Sequence, residues 1–303
     1  LNCVANGHLL RAKLFKDIWI QPAAGDAGGA LGAALAAHYI YFVQERKVDS
    51  KKMDGMKGAY LGPEFSALDI REVARKYEAV YQEHTEEDLC GKVADLLADG
   101  QVVGWFQGRQ EFGPRALGSR SILGDARNPE MQIKLNLKIK FRESFRPFAP
   151  SVLAEDVSAY FELEEASPYM LVVASVKEER KKRLPADYGA LPLKEKINME
   201  RSDMPAITHI DFSARVQTVH EATNPIYYRL LQAFKAKTGY GLLVNTSFNV
   251  RGEPVVCTPE DAFRCFVRTN MDYLVMGNFL FAKTDQPENK KIQAAKEEAF
   301  ALD

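Results

Sequence analysis

The sequence predicts an α/β protein, because short apolar runs of strand length alternate with longer, capped amphipathic stretches of helix length. Val102-Val103-Gly104-Trp105-Phe106, Tyr169 to Val176 and Gly241-Leu242-Leu243-Val244 are such strands. The most unusual polar motifs also adjoin these runs, and strand ends are where α/β folds gather ligands. A chain of 303 residues suits about two domains at roughly 150 residues each.

Composition bounds the function. A hydrophobic share of 46% and a charged share of 27% are ordinary for a soluble globular protein. A net charge of −1 argues against a general binder of nucleic acid or membrane surface, so an anion site has to come from local clustering. The four cysteines (Cys3, Cys90, Cys257, Cys265) are scattered without a CxxC pair, which fits a reduced, cytoplasmic compartment and excludes the usual zinc spacings. No apolar run approaches the ~20 residues that span a bilayer. The first residue is Leu1, and LNCVANGHLLRAKLF reads like the interior of a fold, so a C-terminal portion lacking an N-terminal partner is expected.

In chain order, Ile18-Trp19-Ile20 is expected as a short strand, followed by a long helix through ALGAALAAHYIYFVQERK. Asp26 stands at that strand-to-helix turn. It is either an N-cap or a metal or nucleotide ligand, since glycines beside an aspartate suit phosphate approach. Residues 47–62 are polar and glycine-broken and read as a linker. Ser66 is placed to cap a helix through LDIREVARKY, and Thr85 to cap TEEDLCGKVADLLADG with Gly100 as its stop. A helix is expected through MQIKLNLKIK, with Lys134 and Lys138 on a solvated face. Glu178 to Glu200 is a charged, exposed excursion. Ile207 to Ile210 alternates weakly, and DFSARVQTV turns into a strand. Pro225 opens a helix that stops at Gly239, and Thr258-Pro259 opens another. Tyr273 to Met276 and Phe279 to Phe281 form a hairpin around Gly277-Asn278, and a polar helix closes the chain.

The stretch Gly108 to Leu123, GRQEFGPRALGSRSIL, sets Arg109, Arg115 and Arg120 among glycines and a proline. Guanidinium forks and free backbone N–H groups in a loop suit an anion such as phosphate or carboxylate. From Arg109 to Arg146 nine Lys and Arg residues face four acids, a local excess of five positive charges. Lys140-Phe141-Arg142 leads into Arg146-Pro147-Phe148-Ala149-Pro150, whose prolines fix the loop. Asn245-Thr246-Ser247-Phe248-Asn249 follows a strand and offers either a hydrogen-bonding rim for a polar ligand or ordinary Asx and Ser turns. Arg120 and Arg127 are left open between site and scaffold.

Together GRQEFGPRALGSRSIL, KIKFRESFRPFAP, DFSARVQTV and LLVNTSFNVRGEPVV resemble the C-terminal domain of the O-carbamoyltransferases. NCVANGHLLR and IWIQPAAGDAGGALGAAL resemble the end of the same family's N-terminal domain, which is actin-like (sugar-kinase superfamily) and similar to the universal tRNA threonylcarbamoyl transferase. The resemblance implies a YrdC-like twisted mixed sheet with flanking helices. It divides the chain into an actin-like remnant (1–47), a linker (48–62), a YrdC-like domain (63–285) and a polar tail (286–303). It implies formation of carbamoyl adenylate from carbamoyl phosphate and ATP, with Mg2+, then transfer to a hydroxyl-bearing small molecule by the full-length enzyme with help from a divalent metal such as iron. Arg115, Lys140, Arg215 and Ser247 take catalytic roles, and Arg109, Glu111, Arg142, Arg146, Asn245, Asn249 and Arg251 line the substrate and nucleotide site. Asp26 matches a metal-holding aspartate, but the five histidines show no HxxxH spacing, so the metal site is incomplete here. Two other readings compete. One is threonylcarbamoyl-AMP synthesis for tRNA modification. The other is a non-catalytic RNA-binding module, which the near-zero net charge disfavours. No membrane partner is expected.

Overall fold

The computed structural model describes residues 1–49 and 54–297. Parts of the expected linker (50–53) and tail (298–303) lie outside the described residues. Nine strands form one mixed sheet: β1 (Gln82–Glu83), β2 (Val103–Phe106), β3 (Arg120–Gly124), β4 (Ala149–Leu153), β5 (Val172–Ser175), β6 (Ser213–Val219), β7 (Leu242–Ser247), β8 (Tyr273–Met276) and β9 (Phe279–Ala282). Their order is β1-β9-β8-β2-β3-β7-β4-β6-β5. The β2–β8 and β4–β6 pairs are parallel and the others antiparallel. This is the mixed sheet with flanking helices that the sequence led us to expect.

The helices are α1 (Cys3–Arg11), α2 (Asp26–Ala36), α3 (Ala67–Tyr77), α4 (Glu86–Ala98), α5 (Met131–Lys138), α6 (Val157–Tyr160), α7 (Leu193–Asn198), α8 (Pro225–Thr238), α9 (Pro259–Arg268) and α10 (Lys290–Glu297). Their start signals work as read. Ser66 and Asp69 form a reciprocal capping box on α3, as do Thr258 and Asp261 on α9, and Thr85 caps α4. Pro225 is at the first position of α8, and Gly239 ends that helix in the left-handed region. The Ser66, Thr85 and Thr258 side chains each accept from an otherwise orphaned backbone N–H, an effect of about 1 kcal/mol.

Strand alternation splits the core. Val103, Trp105, Leu123, Leu153, Val219 and Leu243 pack against α4 and α8 on one face. Ile122, Val152, Val216 and Val244 pack on the other with residues of α3, α5, α9 and α10. A smaller apolar cluster of Met56, Ala59, Leu117, Ala149, Tyr169, Met170 and Leu171 sits under the arginine-rich loop.

Several expectations are corrected. Ile18 to Ile20 is not a strand. The helix expected to run to Lys47 ends as α2 at Ala36 plus a π turn (Ala37–Tyr41), and none of the residues of α2 is buried, so little packing supports a longer helix. Its cap is Gly25, and Asp26 is the first helical residue, not the N-cap. Lys134 is not on a free solvated face: its Nζ donates to Asp272 at 2.7 Å and to the Gly100 carbonyl at 3.1 Å. The polar motifs also contain strand: β3 begins at Arg120, β4 starts inside the proline-bearing loop, and β7 runs through Asn245, Thr246 and Ser247.

A cavity walled by arginines

The loop between β2 and β3 is built around one carboxylate. Glu111 is 8% exposed, and its Oε1 accepts from the N–H groups of Leu117 (2.7 Å), Ser119 (2.8 Å) and Arg120 (3.3 Å). Burial pushes its carboxyl up, and the backbone N–H donors pull it back toward ionisation. Gly118 lets the loop pass the α8 aromatic Tyr227: its φ is +107°, and a Cβ there would collide with the ring. Arg120 is wholly buried. Its Nη1 donates to the carbonyls of Gln107 (2.9 Å), Gly108 (3.2 Å) and Ser119 (3.2 Å), and its guanidinium lies 3.6 Å over Phe106. Arg127 grips Asp125 through Nε and Nη2. Both open residues are scaffold.

So arranged, the loop delivers Arg115 to a cavity of about 280 Å³. Arg142, Arg146, Phe148 and Ala149 close it from the approach to β4, Met170 and Arg215 from the β5–β6 side, and Asn245, Thr246 and Ser247 from β7. No carboxylate lines it. The Nε atoms of Arg115 and Arg215 are buried without a hydrogen-bond partner. Burial, followed by the charge of Arg115, pulls the Arg215 guanidinium below its ordinary range. Arg142 is lowered by burial and then by Arg146. It is steered by the Oδ1 of Asn136, to which its Nε donates at 2.7 Å, and it stacks on Phe148. Arg146 is paired with Glu143, which lies outside the lining, at 2.9 Å. The like charges gathered along the wall still make a positive, partly desolvated hollow.

The remaining predicted residues stand behind or beside this wall. Lys140 is 4% exposed and does not line the cavity. Its Nζ donates to the Ser247 carbonyl and to the carbonyl and Oδ1 of Asn249 (2.8 and 3.0 Å), joining the Lys140-Phe141-Arg142 stretch directly to Ser247-Phe248-Asn249. Burial pushes its amine down to about 7. Asn249 accepts from the Ser247 hydroxyl at 2.7 Å. Arg109 is exposed, bonding the Gly62 carbonyl and facing Glu64, while Arg251 is exposed in the turn after β7. Asp26 is exposed, and no group of three or more His, Cys, Asp or Glu that could hold a metal occurs among the described residues.

Sequence reasoning missed Gln217 and Ser151, which stand behind the cavity wall and hold one of its residues, Asn245, whose Nδ2 donates to Gln217 Oε1 and to Ser151 Oγ at 2.9 Å each. The signal was present: Gln217 follows Arg215 by two residues in a strand, so both project from one face.

A sequence model of the carbamoyltransferase C-terminus matches residues 94–283, and one of the carbamoyltransferase N-terminus matches residues 1–35. The chain belongs to the carbamoyltransferase family. Nodulation protein NolO of Bradyrhizobium diazoefficiens is 41% identical over 93% of the chain and 47% of its own length. The 3'-hydroxymethylcephem-O-carbamoyltransferase of Streptomyces clavuligerus is 33% identical over 91% of the chain and 46% of its own length. An uncharacterized Synechocystis protein is 62% identical over 100% of the chain and 49% of its own length. The chain therefore spans about half the length of the curated relatives it matches. Among the described residues no helix is long and apolar enough to cross a membrane.

Proposed function

We propose that this carbamoyltransferase chain forms carbamoyl adenylate from carbamoyl phosphate and ATP, for O-carbamoylation of a small-molecule hydroxyl in the cytoplasm. The observation that carries the reading is the cavity walled by Arg115, Arg142, Arg146 and Arg215 without a lining carboxylate, which suits a phosphate-bearing substrate. Carbamoyl phosphate loses phosphate to water, leaving carbamate. A carbamate oxygen then attacks the α-phosphorus of Mg–ATP and pyrophosphate leaves. Both steps gather negative charge on oxygens around phosphorus, and fixed guanidinium groups in a partly desolvated hollow stabilise it. Lys140 supports the nucleotide side by holding the Ser247–Asn249 segment against the Arg142 loop. No group of three or more His, Cys, Asp or Glu gathers around Asp26 among the described residues, so no step is routed through a metal held there.

The test is pyrophosphate release by the purified chain given ATP, Mg2+ and carbamoyl phosphate. Release should require both substrates and fall about a hundredfold or more in Arg115→Ala and Arg215→Ala, as expected for losing a charge-stabilising donor. Undiminished release in both variants overturns the site. Release supported by threonine and bicarbonate in place of carbamoyl phosphate assigns the chain to threonylcarbamoyl-AMP synthesis instead.

A further inference from the structure

Residues 54–63 lie between the stretches matched by the two family models, which end at residue 35 and resume at residue 94. The segment is packed: Met56 is 5% and Ala59 1% exposed. Its backbone is also strained. Lys57, Gly58 and Ala59 are consecutive and all left-handed, with φ of +51°, +73° and +68°. That conformation is unfavourable for Lys57 and Ala59 and persists only where surrounding contacts impose it.

Two sets of contacts impose it here. On the side of the arginine loop, Phe112 donates its N–H to the Ala59 carbonyl at 2.6 Å, Gly62 donates to the Gln110 carbonyl at 2.9 Å, and Gln110 donates back to the Pro63 carbonyl at 3.0 Å. The Tyr60 hydroxyl donates to the Leu117 carbonyl at 2.8 Å and accepts from Asn224 Nδ2 at 3.0 Å. Gln110 and Phe112 precede Arg115 and Leu117 follows it, so the segment holds the loop at both ends of that residue. On the side of β5, the Tyr169 hydroxyl donates to Asp54, 2.8 Å from each carboxylate oxygen. Tyr169 precedes Met170, a residue of the cavity wall that is itself left-handed at φ +56°. The same segment meets the N-terminal part of the chain: Ile20 and Leu31 pack on the apolar cluster around Met56 and Ala59, and Gln21 Nε2 donates to Met56 Sδ at 3.4 Å.

We propose that residues 54–63 are a strained latch, caught by Asp54 on Tyr169, whose closing sets the Arg115 loop and Met170 in place around the cavity and whose opening releases both. Strain in Lys57 and Ala59 favours opening, and the bonds made by Asp54, Ala59, Tyr60 and Gly62 favour closing. An anion that binds the closed form better tightens the latch, and by linkage a looser latch weakens the anion by the same factor. Asp54 and Tyr60 line no part of the cavity and are positioning residues. The latch acts on the proposed phosphate site and so rests on that reading.

Hydrogen exchange of the chain with and without inorganic phosphate tests the latch. If only the closed form binds, phosphate at 100 times its Kd should slow exchange at the Ala59 and Gly62 amides about a hundredfold. In Asp54→Ala these amides should exchange about tenfold faster without phosphate, while the amides of α4 and α8 keep their wild-type rates and show the fold intact. Saturating phosphate should restore slow exchange in that variant, which a merely structural contact would not do. Phosphate that binds the wild type without slowing Ala59 and Gly62 overturns the latch and leaves the phosphate reading standing. Wild-type exchange at both amides in Asp54→Ala overturns the catch in the same way. If phosphate does not bind the wild type, the reading of the cavity falls, and the latch with it.

Discussion

The Nζ of Lys140 lies among the oxygens of Ser247 and Asn249, and burial draws its pKa from 10.5 down to about 7. Below pH 7 the folded and unfolded chains both hold this proton, and the burial penalty on the ammonium is complete. Between pH 7 and 10.5 the unfolded chain binds a proton that the folded chain releases, so stability rises with pH through that window. Lys283, also pushed down to about 7 by burial, acts in the same direction. The contribution of Lys140 is therefore isolated by subtracting a Lys140→Met variant. Urea denaturation at pH 6.5 to 9.5 should show the wild type gaining on the variant by up to about 1.4 kcal/mol per pH unit. A flat difference would mean that the surrounding oxygens keep the amine protonated. Residue identity alone does not reveal such roles. Arg115 and Arg120 stand in one glycine-rich motif, yet Arg120 is wholly buried and donates to the carbonyls of Gln107, Gly108 and Ser119 over Phe106, while Arg115 lines the cavity. The motif announced the cluster of cations. Which of them is committed to the fold depends on partners that only the folded chain brings to them.

At the scale of elements, helices were the more legible class, since Ser66, Thr85, Pro225 and Thr258 act locally and need no tertiary partner. The strands carrying the site were obscured by their own function. β7 continues through Asn245, Thr246 and Ser247, polar residues that read as a loop. β4 includes Pro150, which pairs with Val244 of β7 one residue before the β4–β6 ladder begins at Ser151. Long-range pairing overrides local preference at both places. The arginine loop and α8 are likewise coupled through a contact no local pattern shows, Gly118 against Tyr227. Gly118→Ala adds both a strained φ and an overlap with a buried ring, so we expect a loss of about 2 kcal/mol or more. Because the strain falls three residues from Arg115, phosphate affinity should fall too. A denaturation midpoint and phosphate affinity both equal to wild type would show that the loop is free to shift away from α8.

For the whole molecule, the decisive contrast is a net charge of −1 against an excess of five positive charges within residues 109–146. The N-terminal segment is part of this balance. Asn6 and Arg11 bond the carbonyls of Leu171 and Val173 at 2.9 and 2.8 Å, and Cys3 approaches Arg215, so α1 abuts the cationic wall. A near-neutral surface does little to draw in a polyanion from a distance, and its field is screened within about 10 Å at 0.1 M salt. A small anion seated inside the cavity meets its arginines at contact range, where screening is weak, and it sheds no condensed counterion layer on binding. Inorganic phosphate affinity should therefore fall by less than about tenfold between 50 and 200 mM salt. An RNA held through several backbone phosphates would lose about a thousandfold over the same range. Titrating phosphate and tRNA in parallel across that range separates the two cases. Tight tRNA binding with the steep slope, abolished by Arg115→Ala, would make this a polyanion surface and set the small-molecule cavity aside.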